Sequence, residues 1–296
     1  MILLGAVRRG LGSLGTHRRC AVLLWLCQAV LAAPVAALAW SWWSRTAMLP
    51  ETDTLLDSFH LGVFLELLDA GRWQIVAIGL ASLGLLLATV PLSALLHGAI
   101  LDALAHDDPR PWLERCRRSA ATYFLRFVAV AIIGGFVTLI VIGLMVLASM
   151  LVVRRLPVAW HPRWIQLGLV GIAWGYGLLA LDYARIQIML SGSRDALRAW
   201  CAAMGFVARH PIATGGVGVV FGALFVAALS LYLAISTVLP ANTTVLIAVA
   251  FVIQQGFMLL RAGVRVGLLA GEVHVSQIME PAGIAPIPWP DGQMAK

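Results

Sequence analysis

Six long apolar runs dominate this chain, and they leave few ways for it to fold. A helix crossing about 30 Å of hydrocarbon needs roughly 20 mostly apolar residues. Stretches of that kind occur at about 20–43, 73–101, 122–153, 164–190, 211–239 and 243–271. Backbone polar groups inside lipid must be satisfied within the segment itself, so runs of this length read as α-helices. Only 12% of the 296 residues are charged and 61% are hydrophobic, against about a quarter charged in an ordinary soluble domain. A water-soluble fold of this composition could not cover its surface with polar groups. The expected fold is therefore all-α, a polytopic bundle of six spanning helices. It forms one membrane domain over 1–280, with a proline-rich tail over 281–296.

Several runs exceed the minimum and imply tilt or extension past the lipid. Pro91 sits inside the second run, where a missing donor and a clash with the preceding turn favour a kink. The last run is free of charge only to Leu260 and continues as helix beyond it. Arg8, Arg9, Arg18 and Arg19 ahead of an apolar run that contains Ala37-Leu38-Ala39 also fit a secretory signal. The run is long for a signal core and ends in Trp40, Trp42 and Trp43, which suit an interfacial aromatic belt. A retained helix is the preferred reading.

The net charge of +7 is carried almost entirely by arginine, and its placement reads as topology. With the N-terminus inside, 16 of the 21 basic residues fall on the cytoplasmic side. Arg45, Arg72, Arg154, Arg155 and Arg163 fall outside. That asymmetry places both termini in the cytoplasm. It also makes anionic lipid headgroups, and not nucleic acid, the expected partner of the basic face. Trp73, Trp160 and Trp164 join the first three tryptophans at the outer boundary. The outer loop at about 44–72 carries Leu55, Leu56, Phe59, Val63, Phe64, Leu67 and Leu68 at helical spacing among acidic residues, which predicts an amphipathic helix on the outer leaflet. Cys20, Cys27, Cys116 and Cys201 form no C-x-x-C pair and suggest neither a disulfide framework nor a zinc site.

Three segments share one plan, an amphipathic basic stretch followed by a spanning helix. They start near Leu4, Trp112 and Ala196 and end at Arg18 and Arg19, at Arg126 and at Arg209. A threefold helical-hairpin repeat follows, with interfacial helices before the odd-numbered spans. This plan, together with Leu181-Asp-Tyr-Ala-Arg-Ile and the following Ala196–Pro211, resembles a group of six-helix bacterial inner-membrane proteins. The group includes the membrane domain fused to some glycerophosphodiester phosphodiesterases. The resemblance implies a bacterial inner-membrane location. No soluble phosphodiesterase domain accompanies the spans, so that activity is not carried over.

Candidate sites are few. His97, Asp102 and His106 supply metal-ligand side chains, although the bland reading is a helix end emerging into water near Asp107-Asp108-Pro109. Asp182 and Arg185, three apart, are either a structural pair or a substrate or lipid contact. Gly263, Gly267 and Gly271 form two overlapping G-x-x-x-G steps that admit a close helix neighbour, from this chain or from a second copy. Arg261 and Arg265 beside them are candidates for lipid headgroups. No phosphate-binding loop, nucleophile elbow or carboxylate pair buried mid-membrane is expected, and no cofactor is indicated. The leading expectation is a non-enzymatic scaffold, accessory or lipid-contacting membrane subunit. The alternatives are a permease-like subunit for an apolar or lipid-like substrate, and a membrane-embedded metal-dependent enzyme.

Overall fold

The computed structural model describes residues 1–46, 71–106, 112–153, 162–192, 195–239 and 244–279. The expected outer amphipathic helix and the proline-rich tail lie outside the described residues. Among those described, eight α-helices and no strand occur. They are α1 (Ile2–Thr16), α2 (Arg18–Thr46), α3 (Arg72–Ala105), α4 (Trp112–Val153), α5 (Pro162–Ser191), α6 (Ala196–Arg209), α7 (Pro211–Val238) and α8 (Thr244–Met279). Six of them, all but α1 and α6, are long and apolar enough to cross a membrane. Their bounds lie within a few residues of the expected runs at most ends, and α8 continues to Met279 as helix.

The breaks follow local chemistry. His17 interrupts the helix between α1 and α2, with the Cys20 amide donating to its carbonyl at 2.9 Å. Gly192 takes φ 65 and ends α5, its amide donating to the Ile188 carbonyl at 2.9 Å. That left-handed conformation is cheap only for glycine. The Asp195 side chain then caps α6, accepting from the amides of Leu197 at 3.0 Å and Arg198 at 3.1 Å. Pro211 starts α7, where its missing donor costs nothing.

No such breaker follows Trp112. The basic segment and the span run together as one helix of 42 residues, about 63 Å long. Two of the three expected elbows are therefore separate helices, while the middle one is continuous with its span. α3 and α2 continue as helix through Pro91 and Pro34.

The chain divides into two compact units, Met1–Val22 with Ser93–Lys296, and Leu23–Leu92. The smaller unit contains most of α2 and α3, whose Leu26, Val30, Leu80, Leu83, Leu86 and Leu87 are exposed. In the larger unit α1 lies along α8 and touches α7, α5 packs on α4 and α6, and α8 meets α5 and α7. Its core holds Phe127, Val130, Tyr183, Ile186, Val217, Phe221, Val266 and Leu269.

Glycines set the closest approaches. A Cβ on Gly134 would lie 2.6 Å from the Trp200 ring, so α6 lays its indole on bare backbone of α4. Outside this core, Phe136, Ile172, Val226 and Val252 stand exposed along the spans. Apolar surface costs about 25 cal/mol per Å² against water. Six such helices make this an integral membrane protein, with lipid as the solvent of those faces.

Candidate functional site

The strongest polar feature of the larger unit is a buried network built on α3, α5 and α8. Asp182 lies 20 residues into α5, about 30 Å along the axis and one hydrocarbon thickness from its start. Arg265 lies 21 residues into α8, at a similar depth. Asp182 is the hub. Its Oδ1 accepts from Arg265 Nη2 at 2.7 Å and from Arg185 Nη1 at 3.5 Å. The Asp182 and Arg185 side chains are almost fully buried, whereas Arg265 keeps 34% of its side-chain surface. The same Arg265 Nη2 lies 3.3 Å from His97 Nε2, and His97 Nδ1 lies 2.6 Å from the Ser93 carbonyl. A carbonyl only accepts, so Nδ1 carries the ring proton and Nε2 is left to accept from the guanidinium.

Glu272 completes the set. It is fully buried, within electrostatic reach of Arg185, Arg265 and Asp182, and close to Tyr183. Two guanidiniums and the Asp182 carboxylate thus meet at one junction of helices, with the Glu272 carboxyl within electrostatic reach. Paired charges of this kind near a membrane are tolerated because each has its counter-ion at hand.

The sequence candidates are distributed unevenly over this geometry. Asp182, Arg185 and Arg265 come together as a group, and His97 joins them. His97 is separated from Asp102 and His106, with which it was grouped as a possible metal set. Five residues turn Asp102 about 140° around the helix from His97, and nine turn His106 about 180°. Asp102 and His106, four apart, share a face and lie 3.2 Å from each other. Arg115 joins them, its Nη2 donating to the carbonyls of Asp102 at 3.2 Å and His106 at 2.8 Å. That contact caps the end of α3 from the start of α4. Among the described residues no three His, Cys, Asp or Glu side chains converge as metal ligands.

The glycine steps are used inside this chain. A Cβ on Gly263 would lie 3.5 Å from Leu14, one on Gly267 2.7 Å from Phe221 and 3.1 Å from the Gly10 carbonyl, and one on Gly271 2.9 Å from Val217. The stripe seats α1 and α7. Gly267 lies about 160° around α8 from Arg265, so the helix turns its small face to α1 and its charged face to α5.

Sequence reading missed the parts played by Glu272 and Tyr183. A signal was present: Arg265, Glu272 and Ser276, spaced by seven and four, fall within about 20° of one line along α8.

Arg261 stands apart from the network. It is exposed, as are Arg8, Arg9, Arg18, Arg19, Arg117, Arg198 and Arg209. None of these eight forms an ion pair with a described residue. α1 buries Ala6, Gly10 and Ser13, and α6 buries Ala199, Trp200, Ala203, Phe206 and Val207. Both short helices are therefore clamped to the bundle by their apolar faces and turn their arginines outward. Comparison with protein-family models, with curated proteins and with solved structures finds no match for this chain.

Proposed function

We propose that this is a non-enzymatic membrane subunit that holds anionic lipid headgroups against the arginine-rich end of its bundle. One observation carries the reading: eight exposed arginines without a counter-ion among the described residues, several on short helices whose apolar faces are already docked. Left in water, that many guanidiniums repel one another. Against an anionic leaflet each contributes about 1 kcal/mol. The distribution of basic residues along the sequence supports a cytoplasmic position for this end and for both termini. The resemblance in pattern to bacterial six-helix proteins supports an inner-membrane location. A headgroup-coated face of this kind would also present the protein to a partner or to a second copy.

Reconstitution into nanodiscs of mixed phosphatidylglycerol and phosphatidylcholine, followed by native mass spectrometry, tests the reading. The parent is expected to retain phosphatidylglycerol in preference. Replacing Arg8, Arg9, Arg117, Arg198, Arg209 and Arg261 together by Gln is expected to reduce that preference at least tenfold, since tenfold is only about 1.4 kcal/mol. Raising the salt to about 1 M shortens the Debye length to about 3 Å and should weaken retention in the parent alone. A parent without preference, or a variant with the same preference, contradicts the proposal.

A further inference from the structure

In the network of α5 and α8, two guanidiniums share one carboxylate. Asp182 Oδ1 accepts from Arg265 Nη2 at 2.7 Å and from Arg185 Nη1 at 3.5 Å, and among the described residues no other carboxylate pairs with either arginine. Glu272 is within electrostatic reach, but neither of its carboxyl oxygens has a hydrogen-bond partner among the described residues. At contact distance the network therefore holds one cation more than it holds anions. The Arg185 side chain is only 5% exposed, whereas that of Arg265 is 34% exposed. An outside counter-ion can reach the excess charge at Arg265.

Arg265 is anchored without being used up. Its Nη2 is engaged by Asp182 and lies 3.3 Å from His97 Nε2, while Nη1 and Nε bond no described residue. A guanidinium carries five N–H donors in one plane, so those two nitrogens keep three for another acceptor. Arg261 lies one turn away, about 40° around α8, and side chains four apart on a helix are neighbours. It is exposed and forms no ion pair with a described residue. Like charges at this spacing disfavour each other, and an anion between them reverses the sign. Counted from Thr244, Arg261 lies about 26 Å and Arg265 about 32 Å along α8. The pair thus brackets one hydrocarbon thickness, the depth at which headgroup phosphates begin.

The donors narrow the ligand. Both arginines only donate, and their sum is positive, so the ligand is an anion. The two oxygens of a carboxylate match a single guanidinium fork. A phosphate has enough oxygens to accept from two forks at once. We propose that Arg265, fixed by Asp182, and Arg261 clamp one phosphate group, carried by a lipid headgroup or free in solution. The clamp rests on the headgroup reading for its class of partner. It differs from the rest of that face in having one guanidinium already held in place.

That difference supplies the test. The parent is moved from phosphatidylglycerol nanodiscs into mild detergent, washed with about 1 M NaCl and weighed by native mass spectrometry. Salt at that strength cuts the Debye length to about 3 Å and strips exposed contacts, while partly buried ones are screened much less. The parent is expected to keep one phosphatidylglycerol per chain. Arg261→Gln, which leaves the Asp182 pair intact, should lower that occupancy about tenfold, the low end for losing a charge-assisted hydrogen bond. Arg265→Lys, which keeps a cation for Asp182 but loses the fork, should do the same. Replacing Arg8, Arg9, Arg117, Arg198 and Arg209 together by Gln should leave the washed lipid in place. Equilibrium dialysis of the delipidated parent against inorganic phosphate separates the sources. Phosphate bound there, and lost in Arg261→Gln, assigns a site open to free phosphate, whereas a retained lipid without phosphate binding assigns the headgroup. A parent that keeps no lipid and binds no phosphate, or variants at positions 261 and 265 that match the parent, would overturn the clamp. Lipid preference that depends only on the five outward arginines would also overturn it, and would leave the headgroup reading standing.

Discussion

Gly10→Val detaches α1 from α8. A Cβ at position 10 would stand 2.6 Å from the Gly267 carbonyl oxygen and 2.6 Å from the Phe221 ring. The first of these neighbours is backbone and cannot turn aside. Even Gly10→Ala forces the two helices apart, at a cost of about 1–3 kcal/mol for overpacking. Valine adds two methyl groups to the same gap and should exceed that range. The expected result is a lower melting temperature, with a protease site opened within the first sixteen residues. Gly12 lies two residues on, in the same helix, with nothing within 4 Å of its Cβ position. Gly12→Ala should instead be neutral or stabilising by up to about 1 kcal/mol, since it gains only helix propensity. Equal behaviour of the two substitutions, read by melting temperature and limited proteolysis, would mean that α1 is not seated as described.

Asp182→Ala should cost about 3–5 kcal/mol, the range for removing one partner of a buried ion pair. Its carboxylate is the counter-ion of both Arg265 at 2.7 Å and Arg185 at 3.5 Å. Deleting it leaves two guanidiniums facing one another, with only Glu272 as compensation. Replacing Asp182 by Leu, Arg185 and Arg265 by Met, and Glu272 by Gln removes the charges as a set. That quadruple variant should recover much of the loss, because an uncharged substitute for a whole buried ion set is often neutral or better. The measurement is unfolding of the single and quadruple variants in the same lipid. A single variant as stable as the parent would show that the network contributes nothing to the bundle.

The spans could be read from the sequence because crossing a membrane is a one-dimensional requirement of length and apolarity. The continuation of α8 beyond Leu260 could be read for a related reason, since no breaker interrupts its pattern. Two helix breaks carried their own signals, Gly192 with Asp195, and Pro211. The continuity of α4 through the segment after Trp112 also follows from the absence of a breaker, although its charge pattern suggested an elbow.

The candidate site divides along the same principle. Asp182 and Arg185 are three apart, so their pairing is local. The approach of Arg265 and His97 joins residues separated by 83 and 168 positions, which periodicity in one helix does not reveal. His97, Asp102 and His106 looked like a set because they are close in sequence, but the turn of α3 puts His97 on a different face. Gly263, Gly267 and Gly271 announced a close neighbour. That the neighbours are α1 and α7 depends on packing between distant parts of the chain.

The central claim is that the basic segments of the larger unit face one side of the membrane, where anionic headgroups meet them. Cysteine labelling tests this most directly. With Cys20, Cys27 and Cys116 replaced by Ser, the native and exposed Cys201 on α6 serves as one probe. Gly12→Cys on α1 and Thr244→Cys at the start of α8 serve as two others, each with Cys201 also replaced by Ser. An impermeant maleimide added to one side of sealed vesicles should label positions 12 and 201 together, and position 244 only from the opposite side. Labelling of 12 and 201 from opposite sides, or of 244 from the side that labels them, would contradict the account.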